Sequence, residues 1–243
     1  MEFDRIYAEV DLGRIEENMK AMKEHLRPGT KMYGVVKTDA YGHGAVPVAR
    51  TIDRFVCGYA VATVDEGLKL RRHGIEKEIL CLGPVSAGRY QECLENDISL
   101  PMFEYRRAKE LSDAAVAEGK TAKIHIAVDT GMSRIGLFPD EGSVEIVKEI
   151  AELPALRIAG MFTHFARADE TDKTNAGEQY RRFRKFCDDV KAAGVAVPVC
   201  HCSNSAGIVE LPDFNMDAVR AGITIYGLYP SDEVKQDIIS LKP

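Results

Sequence analysis

The sequence predicts an α/β fold in which buried strands alternate with amphipathic helices within one large domain. Short apolar runs, many of them β-branched, recur eight times along the chain, and stretches with helical spacing separate them. The 243 residues, 45% of them hydrophobic, are enough to bury one full core. This pattern fits a closed (β/α)8 TIM-type barrel or an open doubly wound sheet, and periodicity alone does not separate the two.

Each predicted strand is a run of mostly apolar residues, as expected for parallel strands that are covered on both faces. The candidates are residues 31–36, 55–61, 78–82, 98–102, 123–128, 157–162, 199–202 and 224–227. Two helices have clear apolar stripes, with charged residues on their other faces. The stripes consist of Leu12, Ile15, Met19, Met22 and Leu26 in the first helix, and of Tyr180, Phe183, Cys187 and Val190 in the second.

The charge balance argues against several classes of partner. The chain has 32 Lys and Arg residues against 38 Asp and Glu residues, a net charge of -6. It therefore has no general attraction for nucleic-acid phosphates or for an anionic membrane surface. Its first residues carry acids where a secretory signal needs basic and then apolar residues, and no run is apolar enough to span a membrane. We expect a cytoplasmic protein without nucleic-acid or membrane partners.

The cysteines give no reason to expect a metal site. All six are scattered without the spacing of a zinc site, which predicts reduced thiols in the core. Cys200, His201 and Cys202 look like a ligand cluster, but alternation along a strand places the histidine opposite the two cysteines. We assign no metal.

Lys37 directly follows an apolar strand and precedes a turn that contains glycines. Barrel enzymes place their catalytic groups at the carboxyl ends of strands, although a lone lysine there is most often only solvated. A lysine that bonds covalently to a cofactor carbonyl must lose its proton, which partial burial favours. Tyr41, four residues later, can offer its hydroxyl to a phosphate.

Two further segments predict a phosphate site. Asn204 and Ser205 follow a strand, and we expect Ser205 to be the N-cap of a helix whose free amides attract an anion. After Arg220, small residues allow the amides of Gly222 and Ile223 to approach a phosphate closely. Each feature alone is more often an ordinary cap or turn, so the prediction rests on their combination.

Five motifs make the chain resemble one known family. They are VVKTDAYGHG, DTGMSRIG, THFA, HCSNSAG and VRAGITIYGLYP, in the order and rough spacing seen in alanine racemases. The resemblance extends over essentially the whole chain. It implies a TIM-type barrel with pyridoxal 5′-phosphate (PLP) bound at its mouth, in an isomerase whose small-molecule substrate is an amino acid. Interconversion of L- and D-alanine would supply D-alanine for cell-wall peptidoglycan.

The resemblance also implies roles for the matching residues. Lys37 resembles the lysine that holds PLP covalently and acts as one of two racemisation bases. Arg220 resembles the arginine that donates to the pyridine nitrogen, where a permanent cation opposes protonation of that nitrogen. The implied cofactor-binding residues also include Tyr41, Asn204, Ser205, Gly222 and Ile223, most of them around the phosphate.

Two more motif residues complete the implied site. Arg134 resembles the arginine near the cofactor's phenolic oxygen and the substrate carboxylate, for which a guanidinium fork is well suited. His164 resembles the histidine that lies beside the cofactor ring and meets Arg220. Outside such a motif, a histidine at this position is more often a core residue with a satisfied backbone bond.

The chain departs from the family pattern in two ways. Many members carry a carbamate-modified lysine two positions before the aspartate of DTGM, where this chain has Ala127. The family's second catalytic base is a tyrosine from the β-rich C-terminal domain of the partner subunit. We expect an N-terminal strand over residues 1–12, the barrel over 13–230, and the start of a connection to that domain over 231–243. The 243 residues should then bind PLP but racemise alanine poorly, and the full-length protein should be a homodimer.

Other functions fit the same residues. A serine racemase or another amino-acid racemase of this fold would share the motifs, because residues outside this chain help to set the pocket size. A non-catalytic PLP-binding protein of the homeostasis type would have a barrel of similar length. The motifs DTGMSRIG and VRAGITIYGLYP favour a racemase over that protein, and the reading frame beyond Pro243 would distinguish them.

Overall fold

A computed structural model describes residues 7–243, in which eight parallel strands close into a barrel. Each strand pairs with its neighbour in sequence, and β8 (Ala218–Ala221) pairs with β1 (Lys31–Val35). This closure confirms the predicted (β/α)8 barrel and excludes the open sheet. The other strands are β2 (Gly58–Val61), β3 (Glu78–Cys81), β4 (Ile98–Met102), β5 (Ala122–Ala127), β6 (Leu156–Phe162) and β7 (Cys200–His201).

Helical segments separate the strands, and the longer ones cover the outside of the barrel. The segment directly after β1 has left-handed backbone angles and is not an ordinary helix. The segments are α1 (Leu12–His25), α2 (Lys37–Tyr41), α3 (Ala45–Ile52), α4 (Val64–Arg72), α5 (Tyr90–Glu95), α6 (Tyr105–Ala117), α7 (Glu141–Ala151), α8 (Thr174–Ala192) and α9 (Ser205–Glu210). The side chain of Asp11 caps α1, and Thr63 and Glu66 form a capping box at α4. The two predicted apolar stripes are confirmed in α1 and α8, where Met19 and Phe183 are fully buried.

The predicted strand over residues 224–227 is wrong. The last strand is β8, and Ile223–Tyr226 forms a 3-10 helix instead. β-Branched residues favour a strand there, but this preference depends strongly on tertiary context. Gly222 leaves the extended conformation, and Gly227 ends the helix with a φ of 81°, in the left-handed region that favours glycine.

The barrel interior contains several polar side chains beside apolar ones such as Phe162 and Val199, whereas barrels of this kind are usually filled with branched apolar side chains. Tyr33, Ser99, His125 and His201 point into it and are at most 2% exposed. Gly160 makes room for this arrangement, since a Cβ atom there would lie 2.5 Å from Nδ1 of His125. The apolar core lies outside the barrel, between strands and helices.

The last residues of the chain pack against α1. The predicted N-terminal strand falls partly on residues 1–6, outside the described residues; residues 7–11 form neither helix nor strand. Residues 231–243 also lack regular structure, and Asn18 donates to the carbonyl of Lys242 at 2.8 Å and accepts from its amide at 2.7 Å. The domain boundaries remain a prediction. Within residues 7–243, no helix has the length and apolar character to cross a membrane.

Candidate active site

A pocket of about 360 Å³ opens at the carboxyl ends of the barrel strands. This volume is typical of sites that hold small organic ligands. Every site residue predicted from the sequence lines the pocket, namely Lys37, Tyr41, Arg134, His164, Asn204, Ser205, Arg220, Gly222 and Ile223. Much of the remaining wall is apolar, with contributions from Val35, Leu82, Met132, Phe162 and Phe165. The fold therefore brings the predicted residues together in one cavity.

Lys37 is half-buried at the end of β1, where a strained turn follows it. Residues 38–41, none of them glycine, have φ values between 51° and 56°. This left-handed conformation costs roughly 1–2 kcal/mol per residue, so other contacts must stabilise it. Glu66 accepts from the amide of Thr38 at 2.6 Å, and Asp39 accepts from Lys69 at 2.7 Å. These contacts from α4 fix the direction in which the chain leaves Lys37. Left-handed backbone at residues other than glycine is typical of functional sites.

The predicted N-cap at Ser205 is wrong by one residue. Asn204 is the cap, because its side chain accepts from the amide of Gly207 at 3.1 Å. An asparagine oxygen reaches the third amide of the helix as well as a serine hydroxyl does, which leaves Ser205 free for other contacts. The Ser205 hydroxyl, 5% exposed as a residue, accepts from the amide of Gly222 and from the hydroxyl of Thr224, each at 3.0 Å.

The hydroxyls of Tyr41 and Ser205 and the backbone of Gly222 lie close together at one end of the pocket. A Cβ atom on Gly222 would lie 3.4 Å from the Tyr41 hydroxyl and 3.5 Å from the Ser205 hydroxyl. The Gly222 amide, predicted to face the pocket, donates to Ser205 instead. The Ile223 amide has no hydrogen-bond partner among residues 7–243. Tyr41 packs against Tyr226, whose ring centroid is 5.0 Å away.

Arg220 extends from β8 into the pocket and is 3% exposed. Its Nη1 donates to His201 through Nδ1 at 2.7 Å and through the backbone carbonyl at 3.1 Å. Its Nη2 donates to the carbonyls of Thr163 at 2.7 Å and Cys202 at 3.0 Å. These acceptors surround Nη1 and Nη2, whereas Nε–H has no acceptor in the described part of the chain. Burial lowers the pKa of Arg220 to about 10, so the group stays cationic at neutral pH.

His164 is held neutral. Burial, together with the charges of Arg220, Arg134 and Lys37, lowers its pKa to about 3. Its Nδ1 lies 3.3 Å from Nη2 of Arg220, so the predicted meeting of these two side chains is present. A neutral ring beside a cation accepts a hydrogen bond and adds no further charge to the pocket.

Arg134 is exposed at the pocket rim, in the loop after β5. Its guanidinium has no hydrogen bond or ion pair with any described residue. Ala127, which occupies the position of the family's modified lysine, is buried and offers no polar group to it. The Arg134 donors are therefore available to an anionic ligand.

Gln179 supports the site and was not predicted from the sequence. It lies on α8, 1% exposed, and its Oε1 accepts from the amide of Ala166 at 2.8 Å. Its Nε2 donates to the carbonyl of His164 at 3.0 Å and to the hydroxyl of Thr130 at 3.2 Å. A glutamine within the apolar face of a helix was the available signal, because buried amides normally hold a specific partner.

Comparisons with known proteins agree on one family. The family model "Alanine racemase, N-terminal domain" matches residues 10–230. The alanine racemase of Clostridium novyi is 45% identical over 239 residues, which are 98% of this chain and 62% of that protein. The chain thus spans less than two thirds of the length of this relative.

Solved structures give the same result. An alanine racemase of Clostridium difficile 630, in complex with cycloserine, has a TM-score of 0.94 and 39% identity, and the match covers 96% of this chain and 64% of that one. The Bacillus anthracis enzyme with bound L-Ala-P has a TM-score of 0.89 and 36% identity, covering 99% and 64%.

Proposed function

The chain belongs to the alanine racemase family, and on that premise we propose that it binds PLP through Lys37 and takes part in interconverting L- and D-alanine. One observation carries the proposal. The amine of Lys37, the hydroxyls of Tyr41 and Ser205, and the buried guanidinium of Arg220 line the same pocket. Family members use these groups for the cofactor. The corresponding cellular role is D-alanine supply for cell-wall peptidoglycan, in the cytoplasm.

The residues present fit PLP at both of its ends. At one end, the hydroxyls of Tyr41 and Ser205 face the space that a Cβ atom on Gly222 would fill, with the unpaired amide of Ile223 beside them. Hydroxyl and amide donors suit a phosphate dianion. At the other end, Nε–H of Arg220 suits an unprotonated pyridine nitrogen, which needs a donor.

PLP supplies an electron sink that makes the α-proton of a bound amino acid acidic. Lys37 is the residue that would bond to it and then remove or return a proton at Cα on one face. Arg220 would keep the ring nitrogen unprotonated by remaining a donor, which limits how much negative charge the ring takes up. Arg134, with free donors at the pocket rim, would bind the substrate carboxylate.

Racemisation needs a second base on the opposite face of Cα. Lys37 is the candidate base within these residues, and the second is proposed to be a tyrosine from the partner subunit of a full-length homodimer. We therefore expect the 243-residue chain to bind PLP and to exchange the α-proton of one alanine enantiomer faster than it racemises alanine.

The test combines a spectrum with an isotope measurement. Addition of PLP should give the absorption band of lysine-bound cofactor, and Lys37→Ala should abolish it, whereas Lys20→Ala, on the exposed face of α1, should not. In deuterated water, NMR should show loss of the α-proton from one enantiomer with little inversion. A missing band would refute the proposal, and inversion as fast as exchange would refute the need for a second base.

A further inference from the structure

The barrel interior contains a row of four polar side chains that begins at the pocket and ends at the opposite end of the barrel. Nη1 of Arg220 lies 2.7 Å from Nδ1 of His201, and Nε2 of His201 lies 3.1 Å from Nδ1 of His125. Nε2 of His125 lies 3.2 Å from Oε1 of Glu78. Glu78 is the first residue of β3, with 24% of its side chain exposed.

The chemistry at the two ends determines where the protons lie along the row. A guanidinium only donates, so Nδ1 of His201 must be the acceptor and its proton must sit on Nε2. Nε2–H of His201 donates to Nδ1 of His125. Because Nδ1 of His125 is then an acceptor, the proton of His125 lies on Nε2 and is donated to Glu78. A carboxylate only accepts, so both ends require the same direction. We assign both rings as neutral Nε2–H tautomers.

Other contacts hold Glu78 in the ionised form that this direction requires. Tyr33 donates to its Oε2 at 2.7 Å, and Ser99 donates to its Oε1 at 2.8 Å. Burial by itself would raise the pKa of Glu78, but the hydrogen bonds from His125, Tyr33 and Ser99 lower it. Arg71 lies on the same side, but its guanidinium donates to the backbone carbonyls of Ile75, Lys77, Asn96 and Asp97, so the hydrogen bonds of the carboxylate stay within the barrel.

The row gives Nη1 of Arg220 a side-chain acceptor, Nδ1 of His201, inside the barrel. The guanidinium is buried, and none of its hydrogen-bond acceptors among the described residues is a carboxylate. If His201 carried its proton on Nδ1, it would face the guanidinium with a donor, and Arg220 would have to turn its Nε–H away from the pocket. The Glu78 carboxylate disfavours that tautomer from two rings away.

We propose that Glu78 is a positioning residue for Arg220, acting through the proton direction that its carboxylate imposes on His125 and His201. The inference rests on the proposed function in one respect, namely that the positioned guanidinium donates to the pyridine nitrogen of PLP. The contacts of the row lie entirely within this chain, so they can be tested without cofactor.

The first test is an NMR spectrum of the cofactor-free chain with ¹⁵N-labelled histidine. His125 and His201 should both show a protonated Nε2 and an unprotonated Nδ1. A proton on Nδ1 of either ring would overturn the proposal. Failure here leaves PLP binding at Lys37 unaffected, and failure of PLP binding leaves the spectrum unaffected, so the two results are distinguishable.

The second test is a double-mutant cycle of unfolding at a pH above the histidine range. Glu78→Gln keeps the shape of the side chain and removes its charge, and Arg220→Leu removes the cation. The two should be non-additive by on the order of tenfold in the unfolding equilibrium, as expected for charges coupled across a protein interior. The control pair, Glu95→Gln with Arg220→Leu, should be additive because Glu95 is exposed on α5 and belongs to no contact of the row.

Additivity of Glu78→Gln with Arg220→Leu would contradict the proposal, since a carboxylate with only a local structural role is not coupled to the cation. Should Arg220→Leu fail to fold, the histidine spectrum of Glu78→Leu decides the outcome: protons that appear on Nδ1 of the rings support the proposal, and an unchanged spectrum contradicts it.

Discussion

Replacing Gln179 with leucine should loosen the segment that carries His164. The substitution keeps a buried side chain of similar size on α8 but removes both polar atoms of the amide. The amide of Ala166 and the carbonyl of His164 then lose their partners, which lie at 2.8 and 3.0 Å. Each unsatisfied buried group costs about 1–3 kcal/mol, and the extra apolar surface offsets part of that, so we expect a net loss of about 2–4 kcal/mol.

The assay is urea unfolding of the cofactor-free chain, followed by a titration with PLP. Stability and PLP affinity should fall together, because His164 lies in the pocket wall. The matched control is Gln91→Leu, since Gln91 is paired only with exposed Glu95, at 3.0 Å; it should change stability by less than about 0.5 kcal/mol. A loss below about 1 kcal/mol for Gln179→Leu would show that the amide does not hold this segment.

Three other perturbations have defined outcomes. Gly160→Ala would place a Cβ atom 2.5 Å from the ring of His125 and should cost about 3 kcal/mol in denaturant unfolding, whereas Gly88→Ala, with no atom within 4 Å of the new methyl group, should be near neutral. Ser205→Ala should weaken binding of PLP about tenfold but leave binding of pyridoxal, which has no phosphate, nearly unchanged; equal losses for both ligands would contradict the phosphate assignment. His164 has a folded pKa of about 3, so the unfolded chain binds the extra proton as the pH falls below about 6.5, and stability should decline from there toward pH 3. His164→Gln should flatten that decline, and an unchanged pH profile of unfolding would argue against a neutral ring.

The apolar runs were sufficient to predict the strands, and the family motifs were needed for the closed barrel and for the identity of the pocket residues. Buried parallel strands leave continuous apolar runs, so most of the strands lie within a few residues of where the runs predict them. The pocket residues came from motifs, because a lysine or an arginine after a strand is uninformative by itself. Ile223–Tyr226 was mistaken for a strand because a β-branched run is equally compatible with a buried turn.

Features that depend on partners distant in sequence could not be predicted. The left-handed turn at residues 38–41 uses residues with no preference for that conformation, and Glu66 and Lys69 from another element stabilise it. The polar row inside the barrel was also missed. Glu78 and His125 each occur within apolar strand segments, where one polar residue is compatible with either face of the strand.

The hydrogen bond of the Gly222 amide also depends on a partner that is distant in sequence. The sequence indicates that small residues allow a close approach to an anion, and the space at Gly222 agrees with that. It does not indicate that a serine from a different strand–helix connection accepts from this amide. Whether Ser205 releases the amide to a phosphate is a property of the ligand-bound chain, and the Ser205→Ala titration addresses it.

Covalent attachment of PLP at Lys37 is the claim on which the proposed function depends most. The direct measurement is reduction of the PLP-loaded chain with borohydride, followed by proteolysis and mass spectrometry of the modified peptide. The pyridoxyl group should be found on Lys37, in the peptide that contains VVKTDAYGHG. Modification of a different lysine, or a label spread over the exposed lysines, would contradict the assignment.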